Sequence, residues 1–218
     1  MGGTAPNLRR PARFYPIVPD AGWITRIAPL GIKTVQLRLK DAAPDEVRRQ
    51  IGESIAICRT HGVQLIVNDF WREAIELGCD YVHLGQEDLA GADLTAIKAA
   101  GLALGVSSHD ERELETALMI EPDYIALGPI YETKLKAMKW APQGLSRIVA
   151  WRQAIDEHAR FHGAEAPALV AIGGLTPERA RGAFAAGAQS LAVITDFLTH
   201  ADPERRISQW LALTQDSG

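Results

Sequence analysis

The chain has 218 residues, 47% of them hydrophobic and 23% charged, proportions that exclude a disordered tail or a fibrous repeat and leave enough apolar surface for a full core. Its 23 Lys and Arg stand against 27 Asp and Glu, a formal net charge of −4, which is the wrong balance for wrapping a nucleic-acid backbone. No run of 18 apolar residues is present to span a membrane, so any anionic ligand has to be caught by local cations on a globular body.

Met1 to Arg13 are polar and lack an apolar core, so no secretory signal is expected there. Residues 1–13 read as a loose segment ahead of a single domain over 14–218. Cys58 and Cys79 lie among apolar neighbours and read as reduced, buried thiols of a cytoplasmic protein. Strand-like runs follow at Phe14–Val18, Lys33–Leu37, Gln64–Val67, Tyr81–Leu84, Ala103–Val106, Tyr124–Gly128, Ala168–Ile172 and Ser190–Val193. Between them, helical spacing is read over Asp45–His61, Leu94–Ala100, Glu111–Ile120, Ser146–Glu157, Pro177–Ala186 and Pro203–Leu213. Thr176-Pro177 and Asp202-Pro203 mark two helix starts. Gly31, Gly62, Gly78, Gly101 and Gly187 mark stops before a strand. Eight strand–helix units of this regularity predict a closed parallel (β/α)8 barrel of the TIM type, with a doubly wound open sheet as the competitor. The loop Pro129–Leu145 is too long for a connector and, with Lys134, Lys136 and Lys139, reads either as a lid over anions or as a solvated loop.

In such a barrel the chemistry sits at the C-terminal ends of the strands. In Gln36-Leu37-Arg38-Leu39-Lys40 the alternation of a strand puts Gln36, Arg38 and Lys40 on one face, toward the barrel mouth. Two cations and an amide there suit a phosphate or diphosphate; the alternative is a strand end fraying into solvated basic residues. Asn68-Asp69 and Gly85-Gln86-Glu87-Asp88 end the next two strands, and Asp69 with Asp88 could share one Mg²⁺, which needs only one or two carboxylates. Asp88 and Glu87 could equally cap a helix. Ser107 could bond a phosphate oxygen, whereas Ser108 or His109 could cap the following helix. Gly173-Gly174 and Ile194-Thr195 end the seventh and eighth strands, where barrels of this type commonly bind phosphate. His83 reads as a satisfied core residue or, alternatively, as a group standing behind the site, and His158 and His162 read as surface residues. Trp71, Trp140, Trp151 and Trp210 read as packing groups. The residues by themselves thus point to two anion sites, one of them magnesium-dependent.

These motifs together resemble a known family. Gln36–Lys40, Leu65–Asp69, Val82–Leu89, Gly105–Ser107, Leu127–Tyr131, Ala141–Leu145 and Ala171–Gly174 occur in the order and spacing of thiamine phosphate synthases (thiamine-phosphate pyrophosphorylases), a likeness running from about Tyr15 to Leu211. The resemblance implies a transferase. It would join 4-amino-2-methyl-5-hydroxymethylpyrimidine diphosphate to 4-methyl-5-(2-phosphoethyl)thiazole, or its carboxylated form, and release thiamine phosphate and diphosphate by a dissociative, Mg²⁺-assisted route. It also implies that Asp69 and Asp88 hold the Mg²⁺ and that Gln36, Arg38, Lys40, Asn68, Ser107 and Lys136 bind the pyrimidine diphosphate. Thr133, Gly174, Ile194 and Thr195 would bind the thiazole phosphate. Arg38, Lys40, Lys136 and Ser107 are the expected catalytic groups.

The chain departs from the family pattern at Phe70, where many members have Arg, and at Leu135, where a second Thr is usual. Glu132 adds an acid, and Thr195 stands for a common Ser. Competing expectations are a thiazole tautomerase-like isomerase, disfavoured by Pro129 where that branch has His, and a non-catalytic phosphate-ligand binder. The expected partners are small molecules, with no nucleic acid and no membrane. Whether copies of the chain form a homo-oligomer is left open.

Overall fold

The structure, a computed structural model, describes residues 9–133 and 140–215. Eight strands run β1 Phe14–Val18, β2 Thr34–Leu37, β3 Gln64–Asn68, β4 Tyr81–Leu84, β5 Ala103–Ser108, β6 Tyr124–Leu127, β7 Ala168–Ile172 and β8 Ser190–Val193. Each pairs in parallel with the next, and β8 returns to β1, with Phe14 beside Leu191 and Pro16 beside Val193. The closed barrel expected from the sequence is therefore the observed one, and the open sheet is excluded.

Helices wrap the outside: α1 Ala21–Ile27, α2 Pro44–His61, α3 Trp71–Glu76, α4 Gln86–Gly91, α5 Leu94–Ala99, α6 Glu111–Met119, α7 Gly144–His162, α8 Pro177–Ala185, α9 Thr195–Leu198 and α10 Pro203–Gln215. Two helices show why these segments coil. In α2, Pro44 occupies the first turn with Asp45 and Glu46, and Val47, Ile51 and Cys58 form the buried stripe. In α7 the stripe is Ile148, Trp151, Ile155 and Ala159. It extends past Glu157, where the sequence reading ended the helix, because the small Ala159 continues the spacing through an otherwise polar turn. All five glycines read as helix or turn stops have positive φ, from 63° at Gly62 to 111° at Gly187. The helices α1, α3, α4 and α9, of four to seven residues, were not legible because so few turns leave no periodicity to detect.

Strand residues alternate between two cores. Phe14, Val18, Val35, Leu37, Ile125 and Leu127 face outward into the helix layer. Tyr15, Ile17, Ile66, Tyr81, Tyr124, Ala126 and Val170 fill the barrel interior. Both faces are buried, so the strands read as continuous apolar runs. Trp151 and Trp210 are fully buried in the outer layer, as packing residues should be; Trp210 stacks on Phe14 at 5.3 Å. Cys58 and Cys79 are buried there as free thiols, and burial pushes both up to about 12.

The expectation of a loose segment over residues 1–13 is not met at its end. Residues 1–8 lie outside the described residues, but Arg9 to Arg13 are tied across the N-terminal end of the barrel. Tyr81 donates to the Arg9 carbonyl at 2.8 Å, Ser190 to the Ala12 carbonyl at 2.6 Å, and the Ala12 N–H donates to Thr34 at 2.9 Å. These bonds satisfy polar groups of the inner face that no helix can reach. The opposite end of the barrel stays open as a cavity.

Gly105 in β5 shows how tightly the interior is filled. A Cβ there would lie 2.1 and 2.2 Å from Tyr124 ring carbons and 2.6 Å from its hydroxyl. Gly105→Ala is expected to lower stability by about 2 kcal/mol through overpacking, read as a lower urea midpoint; an unchanged midpoint would contradict this packing.

Candidate active site

The strand register brings the C-terminal ends of the barrel strands around one cavity of about 550 Å³, a size suited to small-molecule substrates. Of the site residues expected from the sequence, Gln36, Arg38, Lys40, Asn68, Asp69, Asp88, Ser107, Thr133, Gly174, Ile194 and Thr195 all line it. Lys136, with Lys134, Leu135 and Lys139, lies outside the described residues. Glu87 is exposed on α4 and does not line the cavity.

Arg38 and Lys40 follow β2 directly. The Arg38 N–H donates to the Val18 carbonyl at 2.8 Å, which continues the β1–β2 pairing one residue beyond the strand and holds the alternation. Leu37 and Leu39 are buried outward, so Arg38 and Lys40 face the cavity. Neither cation forms a salt bridge among the described residues.

Asp69 sits in a tight turn after β3. Its φ is 67°, its N–H donates to the His83 carbonyl at 2.9 Å, and its carbonyl accepts from Trp71 at 2.8 Å. A non-glycine residue in the left-handed region is a strained choice, tolerated best by Asp and Asn. Asn68, buried beneath it, donates its side-chain amide to the Asp69 carboxylate. Asp88 is not the cap of α4; that position is Gly85, and Asp88 is the third helical residue, turned toward Asp69. Burial and the facing Asp88 carboxylate push Asp69 up to about 6, against the pull of the Gly85 N–H and Arg38. Phe70, the departure from the family pattern, packs against the outer core and does not line the cavity.

Across the mouth, Gly173 and Gly174 end β7 with φ of 99° and 62°. A Cβ on Gly174 would lie 2.5 Å from the Glu132 carbonyl, and one on Gly173 would lie 2.7 Å from Pro129. The glycine pair thus lets the loop after β6 lie against the loop after β7, joined by the Tyr131 N–H to the Gly173 carbonyl at 3.1 Å. The other foot of that loop is held by Gln143, which donates to the carbonyls of His109 and Gly128 at 2.8 and 3.1 Å. Neither Ser108 nor His109 caps α6; Asp110 does, accepting from Glu113. Ser108 instead accepts from the buried Trp151 indole at 3.0 Å. His109 lines the cavity, its ring stacked on Trp140 and 2.7 Å from the Glu113 carboxylate.

Three polar lining residues were not singled out from the sequence. Asp196 is held by Arg206 through two bonds of 2.8 and 2.7 Å and by the Trp210 indole at 2.8 Å, so its charge is matched beside Thr195. Tyr15 and Tyr124 are inward-facing strand residues whose hydroxyls meet at 2.8 Å. Their inward parity within the strands was the available signal. His83, read as a satisfied core residue, is buried with both ring nitrogens bonded, and it also lines the cavity; burial, with Arg38 adding to it, lowers it to about 3 and keeps it neutral. His158 and His162 lie near the end of α7 and do not line the cavity.

A parallel barrel with a basic strand edge, an acidic pair and a glycine-rich seventh loop around one cavity defines an enzyme that handles phosphorylated small molecules. The family model described as thiamine monophosphate synthase matches residues 15–197, and the chain belongs to that family. A thiamine-phosphate synthase of Rhizobium etli is 52% identical over 201 residues, which is 92% of this chain and 94% of that protein. One of Neisseria meningitidis serogroup B is 44% identical over 96% of this chain and 98% of its own length. Among solved structures, thiamine phosphate pyrophosphorylase of Pyrococcus furiosus superposes with a TM-score of 0.79 at 21% identity, covering 95% of this chain and 98% of that one; at that identity the likeness speaks for the fold.

The Asp69–Asp88 apposition has a measurable cost in the metal-free protein. Asp69 binds its proton more tightly folded than unfolded, so the wild type loses stability as pH rises from the ordinary carboxylate range through about 6. Asp69→Asn, which cannot ionise, is expected to be more stable than wild type by about 1 kcal/mol at about pH 7 in chelator, after solvent screening, and equal to it near about pH 4. Urea titrations showing a pH-independent difference would contradict the repulsion.

Proposed function

We propose that the chain condenses a hydroxymethylpyrimidine diphosphate with a thiazole phosphate, giving thiamine phosphate and diphosphate, a transferase reaction. The observation that carries this is the sharing of one cavity by two anion-compatible rims: Arg38 and Lys40 with the Asp69–Asp88 pair on one side, Gly174 and Thr195 on the other. Two phosphorylated substrates are what such a cavity needs to hold at once.

The donor set fits Mg²⁺. Two carboxylates pressed together until one is pushed up to about 6 are relieved by a divalent cation, and Mg²⁺ takes its remaining oxygens from water and substrate phosphate. No group of three or more metal-ligating side chains occurs among the described residues, so a site closed wholly by protein is not the fitting one. Asp69 and Asp88 would hold the Mg²⁺, which would supply positive charge for the departing diphosphate.

The chain's own groups do the rest. The bond from the pyrimidine methylene carbon to the diphosphate oxygen breaks first, and the diphosphate keeps the electron pair. Arg38 and Lys40 stabilise that charge as it forms. The thiazole nitrogen then donates its lone pair to the methylene carbon, closing the new C–N bond. Gly174, Ile194, Thr195 and Thr133 would hold the thiazole phosphate so that this nitrogen is close when the carbon becomes electron-poor. Apolar side chains such as Ile17, Ile172 and Val193 line the cavity and exclude water that would otherwise trap the cation. No step needs a general base, which agrees with a neutral His83. Lys136 belongs to the same proposal by resemblance alone. The two buried, unpaired cysteines support a cytoplasmic setting, where thiols stay reduced; no helix among the described residues is long and apolar enough to cross a membrane.

Supplying both substrates with Mg²⁺ is expected to yield thiamine phosphate and diphosphate in equal amounts. Arg38→Ala and Asp69→Ala should each lower kcat/KM by about 100-fold or more with unchanged circular dichroism. Wild-type turnover by either variant would reject the assignment.

A further inference from the structure

A chain of hydrogen bonds crosses the cavity floor and joins two of its lining residues. The Gln36 amide nitrogen lies 2.6 Å from the Tyr15 hydroxyl, Tyr15 lies 2.8 Å from the Tyr124 hydroxyl, Tyr124 lies 2.8 Å from His83 Nδ1, and His83 Nε2 lies 3.0 Å from Ser107 Oγ. Tyr15 is 1% exposed, Tyr124 0%, Gln36 2% and His83 7%, so water does not compete for these links. The Tyr124 and His83 rings stack at 5.5 Å, and the Tyr124 ring fills the space that Gly105 leaves open.

With the Gln36 amide turned so that its N–H meets Tyr15, donor counting gives this chain one direction. A tyrosine hydroxyl has a single proton to donate. Gln36 presents an N–H to Tyr15, so the Tyr15 proton goes to Tyr124, and the Tyr124 proton goes to His83 Nδ1. A neutral imidazole that accepts at Nδ1 carries its proton on Nε2 and donates it to Ser107. Reversing any single link alone would set two protons or two lone pairs against each other in a buried place, a costly state. At the two ends, the Gln36 side-chain oxygen remains as an acceptor and the Ser107 proton remains as a donor, both on residues that line the cavity.

We propose that Tyr15, Tyr124 and His83 are positioning residues that lock this donor–acceptor pattern, so that Gln36 accepts from and Ser107 donates to the pyrimidine ring, making the site select an amino- over an oxo-pyrimidine. An aminopyrimidine pairs an exocyclic N–H donor with a ring-nitrogen acceptor, and the oxo analogue reverses both. Packing alone does not need the hydroxyls: phenylalanine would fill nearly the same volume at either tyrosine. The proposal rests on the pyrimidine reading of the cavity given above.

The free full-length protein, labelled with ¹⁵N-histidine, tests the direction without any substrate. His83 is expected as the neutral Nε2–H tautomer, and the Nδ1–H tautomer would overturn the proposal. Tyr124→Phe is then compared with wild type. Its KM for the pyrimidine diphosphate is expected to rise about tenfold while its KM for the thiazole phosphate stays within about twofold. Its preference in kcat/KM for the amino- over the oxo-pyrimidine diphosphate is expected to fall about tenfold, the worth of one or two hydrogen bonds. Equal losses on both substrates, or an unchanged preference, would overturn the proposal. Tyr15→Phe cuts the chain one link earlier and gives the same shifts if Tyr124→Phe does not fold. A wild type that makes no thiamine phosphate would overturn the reaction assignment, while the tautomer measurement still decides the chain's polarity.

Discussion

Asp69 and Asp88 face each other at the mouth of the barrel with Arg38 near Asp69, and the turn that holds Asp69 gives it a φ of 67°. Two like charges at this range oppose folding unless a cation or a proton comes between them. The surroundings are built to keep them there. Asn68 is buried below, the Gly85 N–H points at the Asp69 carboxylate, and β3 and β4 are joined through the Asp69 N–H and the His83 carbonyl. A local arrangement that raises the energy of the empty protein, and that is held by several independent contacts, is what a site for a divalent cation and a polyanion requires.

Closure of the sheet makes that arrangement useful. Because all eight strands run in parallel and β8 meets β1, every strand delivers its C-terminal end to the same rim. The basic edge after β2, the acids after β3 and in α4, the serine of β5 and the glycines after β7 surround one volume although they are far apart in the chain. The opposite end is sealed by Arg9 to Arg13. The barrel is thus a cup with a polar rim and a floor of ordered hydrogen bonds, in which charge can separate away from bulk water.

Much of this was legible in the sequence because it follows from two periodicities. Alternation placed Gln36, Arg38 and Lys40 on one face, and the same alternation put Leu37 and Leu39 among the helices. Eight recurring apolar runs gave the barrel, and the barrel gave the rim. What escaped has physical reasons. Helices such as α3 and α4 are set by tertiary contacts over fewer than two turns, so no pattern announces them. The pairing of Asp196 with Arg206 depends on how α9 and α10 fold back on each other. The fixing of Arg9 to Arg13 depends on inward hydroxyls from β2, β4 and β8 that only closure brings together. The chain through Tyr15 and Tyr124 joins β1 and β6, strands that approach only across the barrel interior. Their inward parity could be read, but not that their hydroxyls would meet.

The central claim is that the acidic pair and the basic strand edge bind a polyanion together, through a shared divalent ion. Calorimetric titration of inorganic diphosphate into the protein, once with excess Mg²⁺ and once in chelator, tests it directly. The account predicts saturable one-to-one binding with Mg²⁺ and at least about tenfold weaker binding without it, since Asp69 and Asp88 then repel the ligand. Equal affinity under the two conditions would contradict it.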